Sequence, residues 1–292
     1  MGHIGSELIY NLPFDAELIL VDNFYTQRYC SLFYIPSTVN YKFIEADILT
    51  SDLVNIFKGA DFVIHLAAIT DAESSFDKKS IVDEVNIKGT KRVATACAKL
   101  GCHLIYTSTT SVYGVSILEV DESSTQLSPQ SPYAESKIES EKIIMDMDGL
   151  SFTIFRMGTI FGVSNGIRFH TAINKFCFQA SINQPINVWK TAIDQNRPYL
   201  DLYDFVRAIK FVIDNHCTNQ IFNLVTINTT VRNIIDIIKE RVPDLSIKYV
   251  DSRIMNQLSY TISNKKFIQL GFNFEGDLHK SINETLDLLN VK

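Results

Sequence analysis

The chain has 292 residues, 46% of them hydrophobic and 21% charged, with a formal net charge of −6. That is enough apolar mass for one large domain or two modest ones sharing an interface, and so mild an acidity argues against nucleic acid as the main partner. No apolar run approaches the roughly 20 residues a membrane-spanning helix needs, and the start MGHIGSEL lacks the basic end and apolar core of a secretory signal. The cysteines (Cys30, Cys97, Cys102, Cys177, Cys217) are odd in number and without metal-ligand spacing. They read as small core residues of a cytoplasmic protein, with no metal site.

GHIGS opens an amphipathic helix carrying Leu8, Ile9 and Leu12. Short apolar runs follow at 17–22 (ELILVD), 41–47 (YKFIEAD), 61–68 (DFVIHLAA), 103–108 (HLIYTS) and 151–157 (SFTIFRM), all with the pattern of buried strands. Between them lie helical stretches, including SDLVNIFKG, NIKGTKRVATACAKLG with Gly101 as its stop, and AESKIESEKIIMDM. Continuous apolar strands alternating with helices predict an α/β fold, a doubly wound parallel sheet covered on both faces. From about residue 160 the rhythm loosens into turns and one helix over 163–198. The segment YLDLYDFVRAIKFVIDN, followed by IFNLV, restores the helix–strand pattern, and VRNIIDIIKERV and a last helix after LGF suggest a smaller α+β cap. The expected division is a cofactor half over 1–160 completed by 200–225, and a cap made of 161–199 and 226–292.

Gly2 and Gly5 stand at a helix start, and Asp22 closes the next strand about 20 residues on, a spacing that suits a dinucleotide. An Asp there accepts both adenosine ribose hydroxyls and repels a 2′-phosphate, which favours NAD over NADP. The second signal is SPYAESK, where Tyr133 and Lys137 share one helix face behind a Ser131 cap and Pro132. A Tyr with a reference pKa of about 10 is a poor base. A neighbouring ammonium and a positive nicotinamide ring would favour its phenolate, and Thr109, at the end of the preceding strand, would add a hydroxyl beside the reacting oxygen.

With these motifs in place the chain resembles the NAD-dependent epimerase/dehydratase branch of the extended short-chain dehydrogenases. GHIGS, LVDN, ADI, HLAA, NIKGT, STTSVYG, PYAESK, FRMGTIFG, NRPYLDLYD and LGF occur in that family's order. The resemblance implies a Rossmann-like domain with a substrate-binding cap, and Thr109, Tyr133 and Lys137 as the catalytic triad. The cofactor set it implies is Gly2, Ile4, Gly5, Asp22, Asn23, Asp47, Ile48, Leu66, Ala67, Ala68, Asn86, Tyr133 and Lys137. Asp47 and Ile48 flank the adenine in that set, and Asn86 organises backbone and a water near the triad. On the substrate side it points to Thr109, Thr159 (where many relatives carry Asn), Arg168, Asn174 and, for the diphosphate, Arg197, whose guanidinium fork suits paired phosphate bonds. Leu258 stands where an arginine often occurs, and Arg253 is the candidate substitute.

Thr110 and Ser111 follow Thr109 where sugar-nucleotide 4,6-dehydratases have an Asp-Glu pair, and no cysteine near Val112 offers a second proton carrier. The resemblance therefore implies a 4-epimerase acting on a nucleotide-diphosphate sugar through a transient keto-sugar. The rival readings are a nucleotide-sugar reductase or dehydrogenase and a catalytically impaired NAD-binding protein. The resemblance also implies a homodimer through the helices around 78–100 and 133–147. The family opens with a buried strand and a T-G-G-x-G-x-I-G turn, whereas this chain begins at Met1-Gly2-His3-Ile4-Gly5. The expectation is that Met1 is internal to a longer protein with roughly ten further residues upstream, and that without them the first strand is missing and NAD is held poorly.

Overall fold

The computed structural model describes residues 1–12, 16–72, 74–114, 118–251 and 260–291. The first part of the chain forms α1 (His3–Asn11), β1 (Glu17–Asp22), β2 (Asn40–Glu45), α2 (Leu53–Ile56), β3 (Phe62–His65), α3 (Lys79–Val82), α4 (Gly89–Leu100), β4 (His103–Thr109), α5 (Pro132–Met145) and β5 (Phe152–Met157). Then come β6 (Thr159–Phe161), α6 (Ala172–Ser181), β7 (Ile186–Trp189), β8 (Asn196–Asp201), α7 (Leu202–Asn215), β9 (Gln220–Leu224), β10 (Ile227–Thr230), α8 (Val231–Arg241), β11 (Ile247–Val250), α9 (Lys265–Gln269) and α10 (Leu278–Leu288). Among the described residues no helix is long and apolar enough to cross a membrane.

The central sheet has the order β3-β4-β5-β9, parallel throughout. Side chains of a strand alternate between faces, and β4 and β5 use both. Leu104, Tyr106 and Ile154 pack with Val93, Ala94, Cys97 and Ile144 from α4 and α5. Ile105 and Phe155 face the other way, toward Leu8 of α1, Phe205 and Ile209 of α7, and Phe222 of β9. Phe267 and Phe272, from the segment expected in the cap, join that second layer. The helices end as the sequence predicts. Gly101 closes α4 in the left-handed region at φ 73°, and the Ser131 side chain accepts the Ala134 N–H at the start of α5.

Two expectations change. β1 and β2, read as buried strands, pair in parallel with each other as a separate sheet, and β2 is mostly exposed. Among the described residues no strand joins β1 to β3, so each pairs on one side only. The helix expected from Asn86 starts earlier, as α3, and runs through a π-helical stretch at Asp83–Lys88 into α4. Cys97, Cys102 and Cys177 are core residues as read, but Cys30 is exposed, because it lies in the connection between β1 and β2 and not under a covered sheet.

The second core gathers α6, α8, α10, β7 and β8 around Phe161, Ile173, Phe176, Ile186, Ile234, Ile238 and Ile282. Its strands form two small sheets, β10-β8-β6 and β11-β7. A clamp at the first turn of α7 ties the C-terminal segment down. The buried Asp204 carboxylate accepts the N–H groups of Glu275 and Gly276 at 2.8 and 3.0 Å, and the Thr226 hydroxyl at 2.7 Å. Only glycine fits at 276, since a Cβ there would lie 2.4 Å from the Asp201 Cβ.

Candidate active site

The reactive groups collect where β4 ends and α5 begins. Thr109 is the last residue of β4 and caps the following turn, its side chain accepting the Ser111 N–H at 3.2 Å and donating to the Ser111 hydroxyl at the same distance. The α5 helix, started by Ser131 and Pro132, aims the half-buried Tyr133 toward Thr109, near enough for that hydroxyl to favour the phenolate. One turn along, Lys137 is buried and donates its Nζ to the Thr107 carbonyl at 2.7 Å, with the amine 5.9 Å from the centre of the Tyr133 ring. Thr109, Tyr133 and Lys137 are thus brought together.

Its electrostatics differ from the expected ones. Burial pushes the Tyr133 phenol up to about 12, against the opposing pulls of the Arg168 charge and the Thr109 hydrogen bond. Burial also brings Lys137 down to about 7, opposed by Glu141. A low dielectric disfavours whichever form is charged, so the same niche moves an acid up and a base down. In this state Tyr133 holds its proton and needs added positive charge to release it.

Behind Lys137 lies a network that sequence reasoning missed. Glu141, one further turn along α5, forms a bidentate pair with Arg156 of β5, at 2.6 Å to Arg156 Nη2, and also accepts from the Ser108 hydroxyl. Arg156 Nη1 donates to the Tyr113 hydroxyl at 3.0 Å, which donates to Asn223 Oδ1 at 2.8 Å. The available signal was Arg156 itself, a charge inside the apolar run SFTIFRM that demands a buried partner.

The adenosine-side candidates gather at the C-terminal ends of β1 and β2, as in other open α/β sheets. Asp47 accepts from the Asn23 side chain at 2.8 Å and from the Leu49 N–H at 2.7 Å. Asp22 accepts the Phe24 N–H at 2.7 Å and is paired with the Met1 amine. Ile48 packs where a Cβ on Gly89 would be 2.5 Å from its Cδ1, and Leu66 lies 3.5 Å from a Cβ built on Gly5. Gly2 sits at the N-cap of α1, Ile4 lies within that helix, and Ala67 and Ala68 follow β3. Asn86 lies in the π-helical stretch and is spent on structure. It accepts the Ile69 N–H at 2.8 Å and donates to the Ile69 carbonyl and the Ser136 hydroxyl, each at 3.0 Å, stapling the segment after β3 to α5.

On the substrate side, Arg168 is brought to the triad. Its Nη1 donates to the Thr70 hydroxyl at 2.8 Å, its Nε is buried without a partner, and its charge bears on Tyr133. Asn174 is not available to a sugar. It is fully buried, and its amide is used up by Gly162 and the Arg168 carbonyl, because α6 packs that face into the core. Thr159 and Arg197 share the β10-β8-β6 sheet, Thr159 exposed opposite Tyr199 and Arg197 two residues away on β8. The Arg197 guanidinium lies 5.2 Å from the centre of the Tyr260 ring and donates to Gln195 Oε1 at 3.2 Å. Arg253 and Leu258 fall outside the described residues. Among the described residues no group of His, Cys, Asp and Glu could hold a metal ion.

Comparison with known proteins adds a family. The model described as NAD dependent epimerase/dehydratase family matches residues 1–224. A trifunctional UDP-glucose 4,6-dehydratase/UDP-4-keto-6-deoxy-D-glucose 3,5-epimerase/UDP-4-keto-L-rhamnose-reductase of Arabidopsis thaliana is 28% identical, aligned over 96% of this chain and 45% of its own length. The chain thus spans less than half of that relative. The dTDP-D-glucose 4,6-dehydratase of Bos taurus is also 28% identical, over 98% of this chain and 85% of its own. Among solved structures, the UDP-glucuronic acid 4-epimerase of Bacillus cereus, in complex with UDP-glucuronic acid and NAD, superposes with a TM-score of 0.86 at 22% identity, covering 99% of this chain and 96% of its own.

Proposed function

The chain belongs to the NAD dependent epimerase/dehydratase family, and from that premise we propose that it inverts a hydroxyl-bearing carbon, at C4, of a nucleotide-diphosphate sugar with NAD as resident cofactor. The observation that carries this reading is the Tyr133 phenol held against the Thr109 hydroxyl with Lys137 one turn behind it. That is a single proton shuttle, with Thr110 and Ser111 in place of any acid–base pair for eliminating water. Several relatives carry the matching chemistry in their names, among them a UDP-glucuronic acid 4-epimerase and a UDP-glucose 4-epimerase.

The residues present fit NAD. Asp22 closes β1 with a carboxylate that suits ribose hydroxyls and opposes a 2′-phosphate, and Asp47 follows β2 on the adenine side. Bound NAD would supply the hydride acceptor and donor and a positive charge on the nicotinamide side of the site. Tyr133 takes the proton of the sugar hydroxyl as that carbon becomes a ketone, Thr109 holds the same oxygen, and Lys137 keeps the phenolate charge balanced. Arg197 anchors the diphosphate while the keto-sugar turns over, and Tyr133 returns the proton once the other face is presented. Arg168 and Thr159 lie on the sugar side.

The same reading divides the chain into a cofactor half, 1–160 with 200–225, and a cap. It also includes a homodimer through the helices around 78–100 and 133–147. Ile81 and Met145, large apolar side chains left exposed there, support that pairing.

Incubating the protein and NAD with a panel of UDP-, GDP- and dTDP-sugars and following them by NMR tests the activity. One sugar should reach an equilibrium mixture of two epimers, with no net reduction of NAD. Formation of a 4-keto-6-deoxy product, or stoichiometric consumption of a reduced cofactor, would replace epimerisation by dehydration or reduction. Arg197→Ala should raise KM for that sugar nucleotide roughly tenfold or more with kcat little changed, since a diphosphate anchor binds ground and transition states alike. A collapse of kcat at constant KM would give Arg197 another role.

A further inference from the structure

Lys137 is only 3% exposed, yet an ammonium carries three N–H donors. One goes to the Thr107 carbonyl at 2.7 Å. Among the described residues no carboxylate lies within ion-pair distance of it, and Glu141, one turn further along α5, is committed to Arg156. What Lys137 does face is an aromatic ring. Its Nζ sits 4.6 Å from the centre of Tyr106 on β4, closer than to the ring of Tyr133. The Tyr106 hydroxyl is buried without a hydrogen-bond partner, so the ring and not the hydroxyl serves this niche. On the adjacent strand His65, brought down to about 3 by burial and then by Lys137, meets the pair uncharged, with its own Nε2 on the Thr90 hydroxyl at 3.0 Å.

We propose that the face of Tyr106 keeps Lys137 an ammonium inside its buried niche, which makes Tyr106 a positioning residue that acts on the proton shuttle through Lys137. A desolvated cation over a π-face gains more than an exposed one, because no water competes for the charge. The groups surrounding Lys137 are Tyr133 and Glu141 on its own helix, His65 on β3, Tyr106 and the Thr107 carbonyl on β4, and Arg156 on β5, neutralised by Glu141. Beyond the Thr107 carbonyl at 2.7 Å, which meets one N–H, Tyr106 at 4.6 Å offers negative potential not already spent on another cation. The link to catalysis rests on the proposed function; the link to the charge of Lys137 does not.

The experiment keeps the ring shape and varies its electrostatics. Tyr106→Phe and phenylalanines bearing one, two or three fluorines at position 106 are compared in protein with 13C-labelled lysines. The Lys137 Cε signal, assigned with Lys137→Met, is titrated without any substrate. Tyr106→Phe should titrate as the parent does, and added fluorines should lower the Lys137 pKa stepwise, by roughly 0.5 to 1.5 units in all. Lys137 serves as the ammonium and loses its proton as pH rises, so the alkaline limb of kcat/KM should move to lower pH by the same steps. A Lys137 titration indifferent to fluorination overturns the proposal, as does a Tyr106→Phe shift as large as that of the trifluorinated ring. Should the sugar-nucleotide assay show no epimerisation at all, the NMR titration still decides the Tyr106–Lys137 contact on its own.

Discussion

Replacing Tyr133 with phenylalanine abolishes turnover and leaves NAD affinity within a few-fold of the parent. The ring is kept and only the proton carrier is lost, so the effect falls on kcat. General acid–base catalysis contributes roughly 10²–10⁴-fold, and Tyr133 is the one phenol against Thr109 in the described site. Lys137→Ala should damage both kcat and NAD affinity, because in the proposed function the same amine supports the phenolate and donates to the nicotinamide ribose. Isothermal titration with NAD beside steady-state kinetics separates the two. A Tyr133→Phe protein that retains more than about a tenth of the parental rate removes Tyr133 from the mechanism.

The largest stability effect should come from Glu141→Ala. Glu141 and Arg156 are 1% and 4% exposed and joined by paired bonds, so removing the carboxylate strands a guanidinium in the core. Breaking a buried pair in this way costs about 3–5 kcal/mol. The Ser108 hydroxyl loses its acceptor at the same time. Urea unfolding should show a much lower midpoint with an unchanged slope. The double change Glu141→Leu with Arg156→Met should recover most of the loss, since it removes both charges and refills the volume. A Glu141→Ala cost below about 1 kcal/mol would mean that water reaches the pair.

The elements easiest to read in the sequence are those whose local chemistry and burial agree. β4 is apolar on both faces and lies between covered layers, and α5 carries its cap, its proline and its reactive side chains within seven residues, Ser131 to Lys137. The nearness of Tyr133 to Lys137 could be read for the same reason, since helix spacing puts both on one face. The small strands β6, β7, β10 and β11 were beyond reach, being three or four residues long and defined by distant partners. The site differed where burial outweighed charge. Tyr133 is driven up because β4 and α5 exclude water from it, and residue order says nothing of that. Asn174 has the composition of a ligand-binding side chain, but α6 turns it inward to tie down Gly162 and Arg168.

The Asp204 clamp has a kinetic consequence. Its bonds to Glu275 and Gly276 span 71 and 72 residues of chain, against three or four for a helical turn. The entropy of closing such a loop is lost before the bonds return anything, and contacts of long sequence separation slow a folding chain. A nascent chain has also released Asp204 long before residue 276 is made. The carboxylate must therefore wait, solvated and open, until the 71 and 72 residues that follow it have been added and the two N–H groups that cover it are delivered. The clamp is a late latch for the second core, which stays unsealed until it closes.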